Sequence, residues 1–153
     1  MSKHSVEHIT CPQCSSKGEF TIWESVNVDL NPELRDNIFK DETFLWTCPS
    51  CGKQVYVPYD MLYHNMGKQF MLFYSTFEPE KGKYDPLELP SDFALEGYII
   101  RQVYGLKEFK EKIRILESGL NDIAIERMKF METHILHPYM ASNGIELLFH
   151  LRN

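Results

Sequence analysis

Two identically built pairs of cysteines set the strongest constraint on how this chain can fold. Cys11-Pro12-Gln13-Cys14 and Cys48-Pro49-Ser50-Cys51 share the pattern Cys-Pro-x-Cys. Two cysteines separated by two residues can reach one ion from a single tight turn. The amides of that turn can donate to the sulfurs and spread their negative charge. Proline after the first cysteine fixes φ and removes a backbone N–H that the turn does not need. Gly52 directly follows Cys51, where a left-handed or crowded backbone is often required, whereas Ser15 holds the matching place in the first pair. Two such turns, each followed by a strand, can place four sulfurs at one point, which is the logic of a zinc ribbon.

The spacing leaves three chemistries to compare. Zinc needs four soft or borderline ligands in a tetrahedron, and Cys11, Cys14, Cys48 and Cys51 supply them. Iron in a rubredoxin-like site draws on Cys48-Pro49-Ser50-Cys51-Gly52, but the first pair lacks the corresponding glycine. Thiol–disulfide exchange wants a helix N-terminus at the motif to lower the thiol pKa, and neither pair is followed by a helical pattern. Zinc is the leading reading, with iron and thiol exchange as alternatives. The 33 residues between Cys14 and Cys48 exceed the spacing of short ribbons, but they read as folded, so closure is not prevented. A structural zinc site supplies about 10–16 kcal/mol of apparent binding energy. Whole-domain stability is about 5–15 kcal/mol. Such a metal would decide whether this half of the chain folds.

Hydropathy patterning places the motifs. Residues 1–10 read as a lead-in ending in a strand-like His8-Ile9-Thr10. Phe20 to Val28 alternates and predicts a strand. Asn31-Pro32-Glu33 marks a helix start, with Asn31 as N-cap, Pro32 at the first helical position, and the helix running to Phe39. Thr43–Thr47 predicts a brief strand before the second cysteine pair, and Gln54–Pro58 another after it. Phe70–Phe77 is an apolar run of strand length, expected to be central and buried. Residues 78–92 hold three prolines and many charges and predict a surface connector. Tyr98–Tyr104 reads as a strand. Leu106–Ser118 reads as a helix, with Phe109, Ile113 and Leu116 on one face and Gly119 as its C′ residue. A second helix, capped by Asn121 or Asp122, runs to about His134. Asn143-Gly144 predicts a two-residue hairpin.

Composition excludes several classes. With 43% hydrophobic and 25% charged residues in 153, the chain is neither a disordered tail nor a collagen nor a coiled coil. No apolar run approaches the roughly 18 residues of a membrane span. No apolar stretch at the start suggests a secretory signal, so a soluble protein of the reducing cytoplasm is expected. The formal charge of −6 divides evenly, −3 in residues 1–77 and −3 in 78–153. Nucleic-acid binding rests on clustered Lys and Arg, and the densest basic stretch, Lys107 to Arg114, is diluted by Glu108 and Glu111. Trp23, Trp46, Tyr59, Tyr63 and Tyr74 offer aromatic surface to a protein partner, although core packing accounts for them more simply. His64 near Asp60 and Tyr63, and His134 with His137 near Glu132, are the remaining chemical handles. They read as hydrogen-bonded or solvated histidines. There is no phosphate loop or nucleophile elbow, so no catalytic residue is assigned.

The cysteine motifs resemble those of the CpXC family, a bacterial domain named for its two Cys-Pro-x-Cys units, to which zinc binding is attributed. Ser25-Val26-Asn27-Val28, Asn31-Pro32-Glu33-Leu34, Leu62-Tyr63-His64, Arg101-Gln102-Val103, Glu111-Lys112-Ile113 and Ser118 to Asp122 are similar as well. The resemblance implies zinc ligands at Cys11, Cys14, Cys48 and Cys51 and no established activity. It spans residues 7–130, divided into a β-rich zinc-ribbon part (7–77), a connector (78–93) and an α/β part (94–130), with 131–153 as an extension. The expected fold class is α+β, with zinc-ribbon-like knuckles on a β-rich first half and two helices and a C-terminal hairpin in the second. The expected function is a structural four-cysteine zinc site in a protein-interaction or binding module. Its alternatives are an enzyme whose active site lies away from the metal and a rubredoxin-like redox protein.

Overall fold

A computed structural model of the chain describes residues 2–77 and 96–150. The expected connector at 78–93 lies outside them. The chain forms two compact units, Met1–Leu106 and Lys107–Asn153.

The first unit is built on a five-stranded mixed sheet in the order β1-β2-β5-β6-β7. Its strands are β1 (Lys3–Thr10), β2 (Lys17–Asn27), β5 (Met61–Asn65), β6 (Phe70–Ser75) and β7 (Ile99–Tyr104). β1–β2 and β5–β6 pair antiparallel, whereas β2–β5 and β6–β7 pair parallel. Between β2 and β5 the chain makes helix α1 (Pro32–Phe39), a 3₁₀ turn (Glu42–Phe44) and a separate two-stranded sheet of β3 (Leu45–Thr47) and β4 (Gln54–Tyr56).

Alternation along the strands builds the core. Met61 and Tyr63 on β5 stand opposite Tyr74 and Leu72 on β6, and all four are buried. Val26 of β2 pairs with Tyr63, and Val103 of β7 with Tyr74, which extends this buried row across four strands. Phe44, fully buried, stacks edge-on against Tyr74 at 5.9 Å and lies 5.1 Å from Tyr59. It thereby anchors the segment leading into β3. Tyr59 Oη donates to the carbonyl of Thr43 at 2.9 Å and fastens the same segment from its other side. Helix α1 has the bounds the proline predicts and buries Leu34 and Ile38. Asn31 occupies the N-cap position, but its side chain donates to Glu33 Oε1 and does not cap a helix amide.

The second unit contains all but the first residue of α2 (Leu106–Glu117), then α3 (Asp122–Phe130), a π-helical turn (Met131–Leu136) and the short α4 (Pro138–Ser142). α2 ends as expected. Gly119 takes φ +69°, and the Gly119 and Leu120 amides donate to the carbonyls of Leu116 and Ile115. Asn121 caps α3 by accepting from the Ala124 amide at 3.0 Å. Charged side chains tie α3 to α2. Lys129 Nζ lies 2.9 Å from Glu111 and 3.2 Å from Glu126, while Lys112 Nζ lies 2.7 Å from Glu126 and 3.6 Å from Asp122. Glu111 and Asp122 are almost fully buried, and Glu111 also accepts from the Phe149 amide.

The α+β class is as the sequence predicts, but the C-terminal hairpin is not there. Pro138 starts a helix and Gly144 ends it, with φ +64° just beyond the C-cap Asn143. Asn-Gly can serve a helix end as readily as a hairpin, because both need a left-handed glycine. Residues 145–150 form no strand.

The buried charges generate a stability prediction. Lys129→Met leaves Glu111 without its cation and should destabilise the chain by about 3 kcal/mol, measured by denaturant unfolding. Burial alone would raise the Glu126 carboxyl and lower the Lys129 ammonium, but their mutual pairing and the neighbouring Lys112 and Glu111 outweigh it in both cases. The Glu126 pKa is therefore depressed, and its contribution is lost as pH falls through the folded-state value. The Lys129 pKa is raised, and its contribution is lost as pH rises through it.

Candidate metal centre

Each Cys-Pro-x-Cys unit forms the tip of a β-hairpin. The first joins β1 to β2, where Thr10 pairs with Lys17, and the second joins β3 to β4, where Thr47 pairs with Gln54. The two tips have the same backbone wiring. The Cys11 amide donates to the Ser16 carbonyl at 2.8 Å, and the Ser15 amide to the Cys11 carbonyl at 2.9 Å. The Cys48 amide donates to the Lys53 carbonyl at 2.8 Å, and the Gly52 amide to the Cys48 carbonyl at 2.9 Å. This wiring requires a left-handed residue after the second cysteine. Gly52 meets the requirement at φ +70° without strain, and Ser15 meets it at φ +60°. The sequence contrast between glycine and serine therefore hides a common conformation.

Packing sets one tip against the other. A Cβ on Gly18 would lie 2.8 Å from the Trp46 ring and 3.1 Å from Pro49 Cδ, so the start of β2 is packed tightly on the second hairpin. Trp46 Nε1 donates to the Glu19 carbonyl at 3.1 Å, and Trp46 is buried. With the hairpins so held, the four Sγ atoms all lie within 4.8 Å of one another. Two pairs cross between the tips at 3.6 Å, Cys11–Cys51 and Cys14–Cys48. Sulfurs bound at 2.3 Å on the corners of a tetrahedron stand about 3.8 Å apart, so the cluster has the dimensions of a four-thiolate metal site. All four cysteines are free of disulfides. Cys11 and Cys48 are buried, whereas Cys14 and Cys51 are exposed, giving the cluster an inner and an outer sulfur from each tip.

The electrostatics are uneven. The Ser16 hydroxyl draws the Cys48 thiol down to about 6 against the effect of desolvation, assisted by the amides of Cys51 and Ser50. Cys14 is lowered by the hydroxyl and the amide of Ser16. The Lys53 amide pulls on Cys51, but desolvation and the three neighbouring sulfurs outweigh it and push that thiol up to about 12. Crowded sulfurs cannot all ionise unaided, and a metal cation among them would relieve the repulsion. Ser16, whose hydroxyl reaches two of the sulfurs, carries no motif in the sequence. Its one visible signal is its place beside the residue that matches Gly52.

The other candidate residues do not join this site. Trp46, Tyr59, Tyr63 and Tyr74 are buried in the core, and Trp23 is half-buried with its ring 4.8 Å from that of His4. His64 Nε2 lies 3.3 Å from Tyr98 Oη and its Nδ1 3.5 Å from Asn27, while burial lowers its pKa. His134 stacks on Phe130 at 4.5 Å, and His137 pairs with Glu132 at 3.2 Å. Among the described residues, the four cysteines are the one group of three or more His, Cys, Asp or Glu placed to hold an ion.

The profile of the CpXC protein family matches residues 9–129. The chain belongs to the CpXC family, whose two defining motifs are the tips just described. No curated protein and no solved structure matches the chain. Among the described residues no helix is long and apolar enough to cross a membrane.

The left-handed positions make the local geometry testable. Ser15→Gly should stabilise the chain by about 0.5–1 kcal/mol, the steric relief exceeding the added chain entropy. Gly52→Ala should destabilise it by about 1 kcal/mol. Equal melting temperatures for Ser15→Gly and the native chain would mean that Ser15 carries no strain.

Proposed function

We propose that this chain is a zinc-binding protein in which Cys11, Cys14, Cys48 and Cys51 hold one structural Zn²⁺, and that it acts as a protein-interaction or binding module. The observation that carries the reading is the mutual distance of the four sulfurs, none beyond 4.8 Å. Four thiolates fill a tetrahedron and leave no position for a reacting water, which favours a structural over a catalytic role. The metal supplies Lewis-acid charge that neutralises thiolates. The chain supplies the two turns that aim them, the Trp46–Gly18 packing that holds the turns together, and the amides that share their charge.

Several features support the binding role. Exposed large apolar side chains concentrate in the second unit, where Met128, Ile135, Leu136 and Tyr139 are each at least 60% exposed. An apolar groove of about 640 Å³ runs beside them, between Leu120, Ile125, Met131 and Leu148. Exposed apolar groups on this scale suit recognition of a partner. In this reading the zinc-binding domain is residues 7–130. Four cysteines that form no disulfide and serve as metal ligands suit a reducing cytoplasmic compartment.

Elemental analysis tests the metal assignment: one zinc per chain and no visible absorption are expected, and a red, iron-containing protein would replace zinc by the rubredoxin-like site. Cys48→Ser should abolish metal retention and sharply lower soluble yield, and a well-folded, metal-free Cys48→Ser protein would contradict a structural role. Binding must displace the proton held by Cys51, so zinc affinity should rise with pH between about 6 and 8, as read by competition with a chelator. An affinity that stays flat over that range would argue against thiolate ligation.

A further inference from the structure

Ser16 stands where the two hairpin tips meet. Its Oγ lies 3.0 Å from Cys14 Sγ in its own tip and 3.1 Å from Cys48 Sγ in the other. A hydroxyl has one proton to donate, and the two sulfurs are nearly equidistant, so either can receive it. The backbone of Ser16 has a separate duty, since its carbonyl accepts from the Cys11 amide and closes the first turn. Lys53 performs that same backbone duty in the second tip, so the fold does not require a hydroxyl at this place. Ser16 is also only half-buried, whereas Cys48 is buried and Cys14 exposed. The hydroxyl therefore links an inner ligand of one tip to an outer ligand of the other.

Building on the zinc assignment, we propose that the Ser16 hydroxyl is an outer-sphere hydrogen-bond donor, shared between Cys14 and Cys48 across the two tips, that sets in what order the sulfurs react and how fast an electrophile releases the ion. A metal-bound thiolate that receives a hydrogen bond carries less charge on sulfur, so it donates less to the metal and attacks electrophiles more slowly. Cys14 and Cys51 are both exposed, but only Cys14 has this hydroxyl within reach. Ser16 thus distinguishes two otherwise similar outer ligands, and Cys51 becomes the sulfur from which the site opens. Ser16 is a positioning residue here, and it does not bind the ion.

The test compares the native protein, Ser16→Ala and Ser16→Thr as full-length chains. Metal content and melting temperature are measured first. The Co²⁺-substituted forms are then examined for their thiolate-to-cobalt charge-transfer band. Finally, the zinc forms are treated with N-ethylmaleimide while zinc release is followed, and the modified cysteine is located by peptide mapping. In Ser16→Ala the charge-transfer band should move to longer wavelength and zinc should leave about tenfold faster or more. Alkylation should spread from Cys51 to Cys14. Ser16→Thr, which keeps the hydroxyl, should restore the native band, rate and order. A band, release rate and order that are the same in Ser16→Ala as in the native chain overturn the role of Ser16 while leaving the zinc assignment intact. Ser16→Thr behaving like Ser16→Ala overturns it as well, because the hydroxyl would then not be the operative group. A native chain that binds no zinc at all sinks the metal assignment, and the role of Ser16 with it.

Discussion

Mutual repulsion among four crowded sulfurs is the constraint around which the first unit is arranged. Bringing thiols within 4.8 Å of one another is unfavourable if more than one or two of them ionise, and it is achieved here because both hairpins are fixed by contacts elsewhere. Phe44 and Tyr59 hold the segment entering β3 against the large sheet. Trp46 and Pro49 press on the start of β2 at Gly18. The sulfurs are thus delivered by apolar packing and main-chain wiring. The uneven thiol pKa values, about 6 at Cys48 and about 12 at Cys51, record the tension that remains.

The two tips are near-copies in backbone and differ in chemistry. Both use proline after the first cysteine, a left-handed residue after the second, and the same pair of main-chain hydrogen bonds. The second tip meets the left-handed requirement with glycine and the first with serine. One position further on, the first tip has a hydroxyl and the second a lysine. A cluster with approximate internal symmetry in its ligands and backbone therefore loses it in the side chains around them, and the asymmetry concentrates at Ser16.

Much of this was legible in the residues. The paired Cys-Pro-x-Cys units specify convergence on one point, and the structure brings them there. Asn31-Pro32 marks α1 to the residue, because Pro32 is tolerated only in a first helical turn. Other elements gave no periodic signal. β1 pairs on one side only and has most of its residues exposed, so its sequence, Lys-His-Ser-Val-Glu-His-Ile-Thr, lacks an apolar face and only its last residues read as a strand. β5 lies inside the sheet, yet it offers only five residues in which Leu62 and Met61 are both apolar, and it escaped notice. The expected helix to about His134 continues past its α-helical part as a π turn, which hydropathy does not distinguish. Asn143-Gly144 satisfies two kinds of chain reversal, a hairpin turn and a helix end, and the local sequence does not distinguish them. Ser16 carried no motif, since its importance arises from two sulfurs 2 and 32 positions away that come together only in three dimensions.

The long segment between the tips bears on how the chain reaches its native state. Strand β2, helix α1, a 3₁₀ turn and strand β3 separate Cys14 from Cys48, so the two pairs of sulfurs meet only when that insert is in place. Closing so distant a contact is governed by topology, and the rate falls as sequence separation grows. The first hairpin brings together only two of the four sulfurs until its counterpart docks. The complete cluster of four sulfurs thereby reports on the placement of the insert, since a chain with a misplaced insert keeps its two pairs of cysteines apart.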